Sequence, residues 1–142
     1  MKIAIASDHG GFNLKEKICN YLLEKGFEVV NLGTYSADSV DYPIYAEKVC
    51  EAILTNEAQK GILVCGTGIG MSICANRNKG IRAAVVSDTY SAKMTRAHND
   101  SNILCLGERV VGFGLACEIV DIYLNTQYES GRHQKRVEMI DK

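Results

Sequence analysis

The stretch GILVCGTGIGMSICANRN, residues 61–78, decides the fold, because it contains one complete strand, turn and helix. Residues 61–65 form an apolar run, which predicts a strand buried on both faces of a parallel sheet. Three glycines follow at alternate positions and mark a tight turn. Residues 71–78 then show the pattern of a helix. The stretch is therefore predicted to be one β-α unit.

The same alternation continues outward in both directions. The other short runs, each predicted to be a strand, are Lys2–Ala6, Glu28–Asn31, Ile81–Val86 and Ile103–Gly107. The other helical patterns are Phe12–Lys25, Pro43–Thr55, Thr89–Asn99 and Gly112–Leu124. Five β-α units predict a single α/β domain, residues 1–142. Its expected architecture is three-layered and Rossmann-like, with a five-stranded parallel sheet flanked by helices.

Residues 125–142 depart from this alternation and predict a C-terminal helical arm. The segment is polar and basic at Arg132-His133-Gln134-Lys135-Arg136, and Val137-Glu138-Met139-Ile140 follows. A short helix with nothing obvious to pack on suggests an arm that docks elsewhere. We therefore expect the arm to pack on a partner subunit.

Composition excludes several classes of protein. The 142 residues carry a net charge of −1, so no overall field attracts nucleic acid or a membrane surface. No apolar run approaches the roughly 20 residues of a membrane span. The amino terminus leaves no room for a signal peptide, so we expect a cytoplasmic protein. The six cysteines include no Cys-x-x-Cys pair and the three histidines form no zinc motif, so we expect reduced thiols and no metal.

Ligands of open α/β sheets bind beyond the carboxyl ends of the strands. The glycine loop Gly66-Thr67-Gly68-Ile69-Gly70 lies at such a position, and its N–H groups can converge on an anion. The loop is not the dinucleotide fingerprint, since it follows the third strand, and no Gly-Lys-Ser/Thr makes it a P-loop. Taken alone, the loop is equally typical of a tight turn that binds nothing.

Cys65 ends the strand directly before this loop. The positive end of a helix dipole favours a thiolate there, and a thiolate can act as a base or a nucleophile. The alternative is an inert buried cysteine, the interpretation we prefer for the other five. Asp8 and His9 end the first strand beside Gly10 and Gly11, although Asp8 can equally be a helix cap. The two loops together supply the groups for proton transfer beside a stabilised oxyanion.

Further candidates are an imidazole and three cations. His98 follows the fourth helix, where a simple C-terminal cap is an equally good interpretation. Arg132 and Arg136 are four residues apart, so on a helix they share one face and match a phosphate dianion. A solvated basic helix is the alternative. Arg109 follows the fifth strand, and we expect the polar groups of the site to gather at one edge of the sheet.

In combination, these motifs resemble the family of ribose-5-phosphate isomerase type B and the galactose-6-phosphate isomerase subunits. The resemblance covers essentially the whole chain. Its motifs are Ser7-Asp8-His9-Gly10-Gly11, Asp41-Tyr42-Pro43, Cys65-Gly66-Thr67-Gly68-Ile69-Gly70, His98-Asn99-Asp100 and Gly131-Arg132-His133-Gln134-Lys135-Arg136. The resemblance implies a homodimer, often a dimer of dimers, with active sites shared between subunits.

The same resemblance implies roles for individual residues. Cys65 resembles the proton acceptor and His98 the proton donor, with Asp8 and Thr67 in the catalytic set. The implied substrate-binding set is Asp8, His9, Gly66, Thr67, Gly68, Ile69, Gly70, Asn99, Arg109, Arg132 and Arg136. Some members carry a carboxylate directly after the glycine loop, whereas this chain has Met71 there and resembles the cysteine branch.

The implied reaction interconverts ribose 5-phosphate and ribulose 5-phosphate through a cis-enediolate, within the pentose phosphate pathway. His98 assists ring opening, and Cys65 moves the proton between C2 and C1. Loop N–H groups hold the enediolate oxygens, the arginines grip the phosphate, and Asp8 orients a hydroxyl or relays a proton. No metal or organic cofactor is needed.

Other functions remain open at this point. The intact His-Asn-Asp and Arg-His-Gln-x-Arg elements favour a pentose phosphate over allose 6-phosphate or galactose 6-phosphate. A nucleotide- or phosphate-binding module without catalysis is the alternative from another class. A redox protein has little support, because Cys65 has no resolving cysteine nearby in the sequence.

Overall fold

The computed structural model describes all 142 residues, which form one five-stranded parallel sheet in the order β2-β1-β3-β5-β4. The strands are β1 (Lys2–Ser7), β2 (Glu28–Asn31), β3 (Lys60–Cys65), β4 (Ala83–Val85) and β5 (Ile103–Gly107). The helices are α1 (Phe12–Glu24), α2 (Tyr42–Leu54), α3 (Ile69–Ala75), α4 (Thr89–Asn99), α5 (Phe113–Asn125) and α6 (Gln134–Ile140). Short 3₁₀ turns, His9–Gly11 and Gly131–His133, precede α1 and α6. The predicted α/β class is confirmed.

Helices cover both faces of the sheet. Helices α1, α4 and α5 pack on one face, where Ile62 and Leu104 are fully buried. Helices α2 and α3 pack on the other, over Leu63 and Ile103. Neighbouring residues of a strand thus enter opposite layers of core, which is why the central strands are apolar at nearly every position. None of the helices is long and apolar enough to cross a membrane.

Two elements differ from the prediction by more than one residue at an end. Strand β4 is the outermost strand of the sheet and has three residues rather than six. It begins late because the N–H of Arg82, just before it, donates to the Asn102 side chain at 2.8 Å rather than to the backbone of β5. Helix α3 begins at Ile69, two residues early, because Gly68 adopts a left-handed conformation that turns the chain directly into the helix. It ends at Ala75 rather than continuing to residue 78.

The direction of α4 determines where the site residues lie. All strands are parallel, so their carboxyl ends lie along one side of the sheet, the carboxyl edge, and their amino ends lie along the opposite side, the amino edge. Each connecting helix therefore returns the chain from the carboxyl edge to the amino edge. Helix α4 therefore ends, at Asn99, close to the residues that precede β4 and β5. Arg82, just before β4, donates to the Asn99 carbonyl oxygen at 3.1 Å. The arm reaches the same edge, since Glu129 N–H donates to the Ala97 carbonyl oxygen at 3.0 Å.

The C-terminal arm packs on its own chain, so the prediction that it has nothing to pack on there is wrong. Val137 and His133 are buried, and the Asp141 carboxylate pairs with the Arg82 guanidinium. An apolar side chain, an imidazole and an ion pair therefore fix the arm to the amino edge of the sheet. Its packing on a second subunit stays a prediction.

Candidate active site

Cys65 lies at the carboxyl end of β3, only 6% exposed, at the base of the glycine loop. Its Sγ accepts a hydrogen bond from Gly68 N–H at 3.1 Å. Only glycine suits position 68: its φ is +81°, and a Cβ there would lie 3.0 Å from the carbonyl carbon of Leu106. The loop therefore aims a backbone donor at the sulfur.

Three N–H groups of the same loop are left without an acceptor. The N–H groups of Gly66, Thr67 and Gly70 donate to no atom of the protein, whereas Ile69 N–H donates to the Thr67 hydroxyl at 3.2 Å. Backbone donors that stay unpaired beside a buried thiol are available to an oxygen of a ligand. The free donors lie in the loop for which the sequence predicts oxyanion binding, and that role stays a prediction.

The loop of Asp8 and His9 lies directly against the glycine loop. A Cβ on Gly10 would lie 3.3 Å from Asp8 Oδ1 and 3.4 Å from Gly66 N. Asp8 is buried and its Oδ1 accepts Gly11 N–H at 3.1 Å, so the capping interpretation of Asp8 is correct. His9 is exposed, and its Nδ1 accepts Val40 N–H at 3.1 Å. The structure thus brings the loop of Asp8 and His9 against the glycine loop that follows Cys65.

Arg109 and Tyr42 complete this edge. Arg109 is exposed; its N–H donates to the Gly66 carbonyl oxygen at 3.1 Å, and its guanidinium lies 3.7 Å from where a Cβ on Gly66 would be. The Tyr42 ring lies 2.8 Å from where a Cβ on Gly70 would be. Tyr42 was not among the candidates, although its motif Asp41-Tyr42-Pro43 begins the helix that follows β2.

The remaining candidates do not lie at this edge. His98, Asn99, Arg132 and Arg136 are at the amino edge of their own chain, so the expectation of a single edge is wrong for one copy. Strands of five or six residues at about 3.3 Å per residue separate the two groups by roughly 15–20 Å. The prediction placed these residues at the wrong edge because a helix that connects parallel strands ends at the edge opposite to the one where it begins.

His98 has two partners that sequence reasoning missed. The ring of His133 stacks on it, with centroids 4.2 Å apart and planes at 17°. Glu129 Oε1 lies 3.8 Å from His98 Nε2 and 3.6 Å from His133 Nε2. These three side chains could in principle hold a metal ion. Nearly parallel rings, however, point their Nε2 lone pairs side by side rather than at one ion, so the observed arrangement orients His98 instead.

Arg132 and Arg136 are both exposed, one turn apart. Arg136 Nη1 donates to the Arg132 carbonyl oxygen at 3.2 Å, and neither guanidinium pairs with a carboxylate. Two unpaired guanidinium groups on one turn suit an anion with several oxygens, such as a phosphate group. They provide the cationic part of the amino-edge group.

The other five cysteines are buried or half-buried and have raised pKa values. Burial raises the pKa of Cys19 to about 11 and that of Cys50 to about 12. Burial also raises the pKa values of Cys74, Cys105 and Cys117, and all six cysteines are free. These five thiols are therefore protonated at neutral pH, and Cys65 is the one whose sulfur accepts an N–H group of the glycine loop.

Fold and site together define a class: a Rossmann-like α/β protein whose thiol and backbone donors suit proton transfer on a small anionic substrate. The model of the ribose/galactose isomerase family matches residues 3–140. The chain is 54% identical to the ribose-5-phosphate isomerase B of Escherichia coli over 139 residues, 98% of this chain and 93% of that protein. The chain belongs to the ribose/galactose isomerase family.

Solved structures agree with this assignment. The ribose 5-phosphate isomerase of Thermotoga maritima superposes with a TM-score of 0.98 at 58% identity, over 99% of this chain and 97% of that one. The ribose-5-phosphate isomerase B of Mycoplasma genitalium, solved with bound ribulose-5-phosphate, gives a TM-score of 0.94 at 42% identity, over 98% and 93%. The predicted fold and family are confirmed.

Proposed function

We propose that this protein interconverts D-ribose 5-phosphate and D-ribulose 5-phosphate by proton transfer, as a step of the pentose phosphate pathway. One observation carries the proposal: the Cys65 thiol lies beneath a loop with three unpaired N–H groups. A base beside such donors is what a reaction through an enediolate requires. The ribulose-5-phosphate held by the Mycoplasma genitalium relative supports a pentose phosphate as the substrate.

The reaction begins with ring opening. His98, as imidazolium, gives its proton to the ring oxygen of the furanose while the bond from C1 to that oxygen breaks. The C1 hydroxyl loses its proton to solvent, which leaves the open aldehyde. Glu129 lies beside this donor, with its Oε1 3.8 Å from His98 Nε2.

Isomerisation follows at Cys65. The thiolate removes the C2 proton, and the electron pair forms the C1–C2 double bond of an enediolate with its charge on O1. Unpaired N–H groups of Gly66 and Thr67 donate to that charge, and one such donor contributes about 3 kcal/mol of transition-state stabilisation. Asp8 or the Thr67 hydroxyl carries the O2 proton to O1. The Cys65 thiol then returns its proton to C1, which yields the ketose.

This site requires two copies of the chain. The thiol and the loop donors lie at one edge of the sheet, whereas His98, Arg132 and Arg136 lie at the other. A substrate only five carbons long cannot span both edges of one copy. We therefore infer a homodimer, alone or as a dimer of dimers, in which the amino edge of one subunit completes the carboxyl edge of its partner.

The surface around the glycine loop supports a second copy at this place. Ile69 and Ile73 on α3 are more than half exposed, and Tyr42 and Ile44 at the start of α2 are exposed beside them. Apolar side chains grouped at the rim of a site are typical of a subunit interface. Arg132 and Arg136 of one copy, with Arg109 of the other, then bind the phosphate group, and His9 and Asn99 bind substrate hydroxyls.

The compartment is part of the same proposal. Six free cysteines remain reduced in the cytoplasm, whereas an oxidising compartment favours disulfides. We place the reaction in the cytoplasm.

The direct test is turnover by purified protein with a metal chelator present. We expect ribose 5-phosphate to give ribulose 5-phosphate with a higher kcat/KM than allose 6-phosphate or galactose 6-phosphate gives in the same assay. Turnover of the hexose phosphates alone would make the substrate wrong. Saturable binding of ribose 5-phosphate without turnover would favour the binding module instead.

A further inference from the structure

Lys15, on α1, is the one charged side chain of the protein with no exposed surface. Its Nζ donates to the Thr34 carbonyl oxygen at 2.7 Å and to Asn31 Oδ1 at 3.0 Å. Glu16 Oε1 lies 3.5 Å away, and the ring of Tyr35 is within cation–π distance. A buried ammonium is costly unless it is paired and hydrogen-bonded, so this set of partners indicates a specific task.

The two hydrogen-bond acceptors of Lys15 belong to the loop of residues 32–41, which contains Thr34, and to the strand end before it, Asn31. This loop is also bonded to the end of β1: Ser7 N–H donates to the Gly33 carbonyl oxygen at 2.7 Å, and Thr34 N–H donates to the Ser7 carbonyl oxygen at 2.9 Å. Lys15 therefore fixes the start of the loop directly beside the residue that precedes Asp8. The two segments are held as one unit.

The far end of the same loop contacts the site. Val40 N–H donates to His9 Nδ1 at 3.1 Å. A nitrogen that accepts a hydrogen bond carries no proton, so neutral His9 has its proton on Nε2. The loop thereby selects one of the two tautomers of an exposed imidazole, and the Nε2–H group is left free to donate.

We infer that Lys15 is a positioning residue that holds the 32–41 loop and, through Val40, keeps His9 in the Nε2–H tautomer that donates to a substrate oxygen. The identity of the substrate rests on the proposed function, whereas the tautomer of His9 does not. Lys15 itself has no exposed surface and its ammonium is occupied by protein acceptors, so it acts only through the loop.

The first test needs no variant. Nitrogen-15 NMR of the histidine side chains, at a pH above the imidazole titration, reports which nitrogen of His9 is protonated; loss of the signals in His9→Gln assigns them. We expect an unprotonated Nδ1 and a protonated Nε2. A proton on Nδ1, or rapid exchange between the tautomers, would overturn the inference, even where the variants of the second test do not fold.

The second test compares Lys15→Met with Lys17→Met, an exposed lysine of the same helix. In Lys15→Met we expect His9 to average between tautomers and KM for ribose 5-phosphate to rise about tenfold, the loss of one hydrogen bond to the substrate, with kcat changed less. Lys17→Met should match wild type in both measurements. A folded Lys15→Met with the wild-type His9 spectrum and KM would contradict the inference.

These readouts separate the two proposals. If wild type turns over none of the sugar phosphates, the proposed function fails, but the His9 spectra of wild type and Lys15→Met still decide whether Lys15 sets the tautomer.

Discussion

The two halves of the proposed site are built in different ways. At the carboxyl edge, backbone geometry holds the thiol: Cys65 ends a buried strand and Gly68 N–H is aimed at its sulfur. At the amino edge, the functional groups are side chains at the end of α4 and on the short arm. His98 is stacked on His133, and the two arginines are exposed. One half is part of the sheet, whereas the other is attached to it.

The difference assigns a task to each half. Proton removal from carbon needs a base placed to within a fraction of an ångström, which a strand end and a glycine turn provide. Phosphate binding tolerates longer side chains, because charge acts over a greater distance. Substitutions at the carboxyl edge should therefore lower kcat, and those at the arm should raise KM.

The largest effect is expected from Cys65→Ala. Loss of the base should lower kcat about a thousandfold while KM changes little, because a general base acts in the transition state rather than in substrate binding. Steady-state kinetics with ribose 5-phosphate measures both constants. The matched control is Cys117→Ala, a half-buried cysteine on α5, which should retain wild-type kcat. Full activity in Cys65→Ala would disprove the assignment of the base.

His98→Asn should have the next largest effect. The substitution removes the proton donor for ring opening and the stacking partner of His133, so we expect kcat to fall about a hundredfold. His133→Asn leaves the donor in place but removes the ring that orients it, and it should cost about tenfold. The ranking tests the stacked pair: equal losses in both variants would mean that the two rings act alike.

Arg132→Ala and Arg136→Ala should each raise KM about tenfold and leave kcat within a few-fold of wild type. Each removes one charge-assisted contact with the phosphate group. Lys135→Ala is the control. Lys135 is also an exposed cation of the arm, but it is not one of the two arginines proposed to bind the phosphate group. An equal rise of KM in Lys135→Ala would mean that the arginines act only through the overall positive charge of the arm and not through specific contacts with the phosphate group.

The smallest effect is expected from Asp141→Asn. It weakens the ion pair with Arg82, which is partly exposed, so the free energy of unfolding in urea should fall by less than about 1 kcal/mol. KM should stay close to wild type, because His133 and Val137 still fix the arm. A large rise of KM would show that the ion pair alone holds the arm in place.

Much of the fold could be predicted from the sequence, because strands buried on both faces are apolar at nearly every position. The runs at Ile62–Cys65 and Ile103–Gly107 can be recognised as buried strands in this way. Strand β4 was predicted too long, since an apolar run does not show where ladder hydrogen bonds stop at an edge. The docking of the arm was missed because it depends on Arg82 and Ala97, which are distant in the chain.

The site was predictable only by residue type. Glycines and a cysteine after a strand point to the loop, and the cap at Asp8 follows from local sequence. Which edge His98 occupies depends on the direction of a helix, and its partners Glu129 and His133 are distant in sequence. Lys15 gave no signal, because a buried lysine and an exposed one look alike in a helical pattern.

The most direct test of the two-copy site mixes two inactive chains. Cys65→Ala retains the amino-edge half, and His98→Asn retains the carboxyl-edge half. In a mixed dimer, one of the two sites combines both intact halves. Co-expression with two different tags and tandem purification would isolate these mixed dimers.

Purified mixed dimers should show about half of the wild-type kcat for ribose 5-phosphate, because one site in two is intact. Each homodimer should remain at its own low level. Mixed dimers that are no more active than the two homodimers would contradict a site shared between copies, and both halves would then have to meet within one chain.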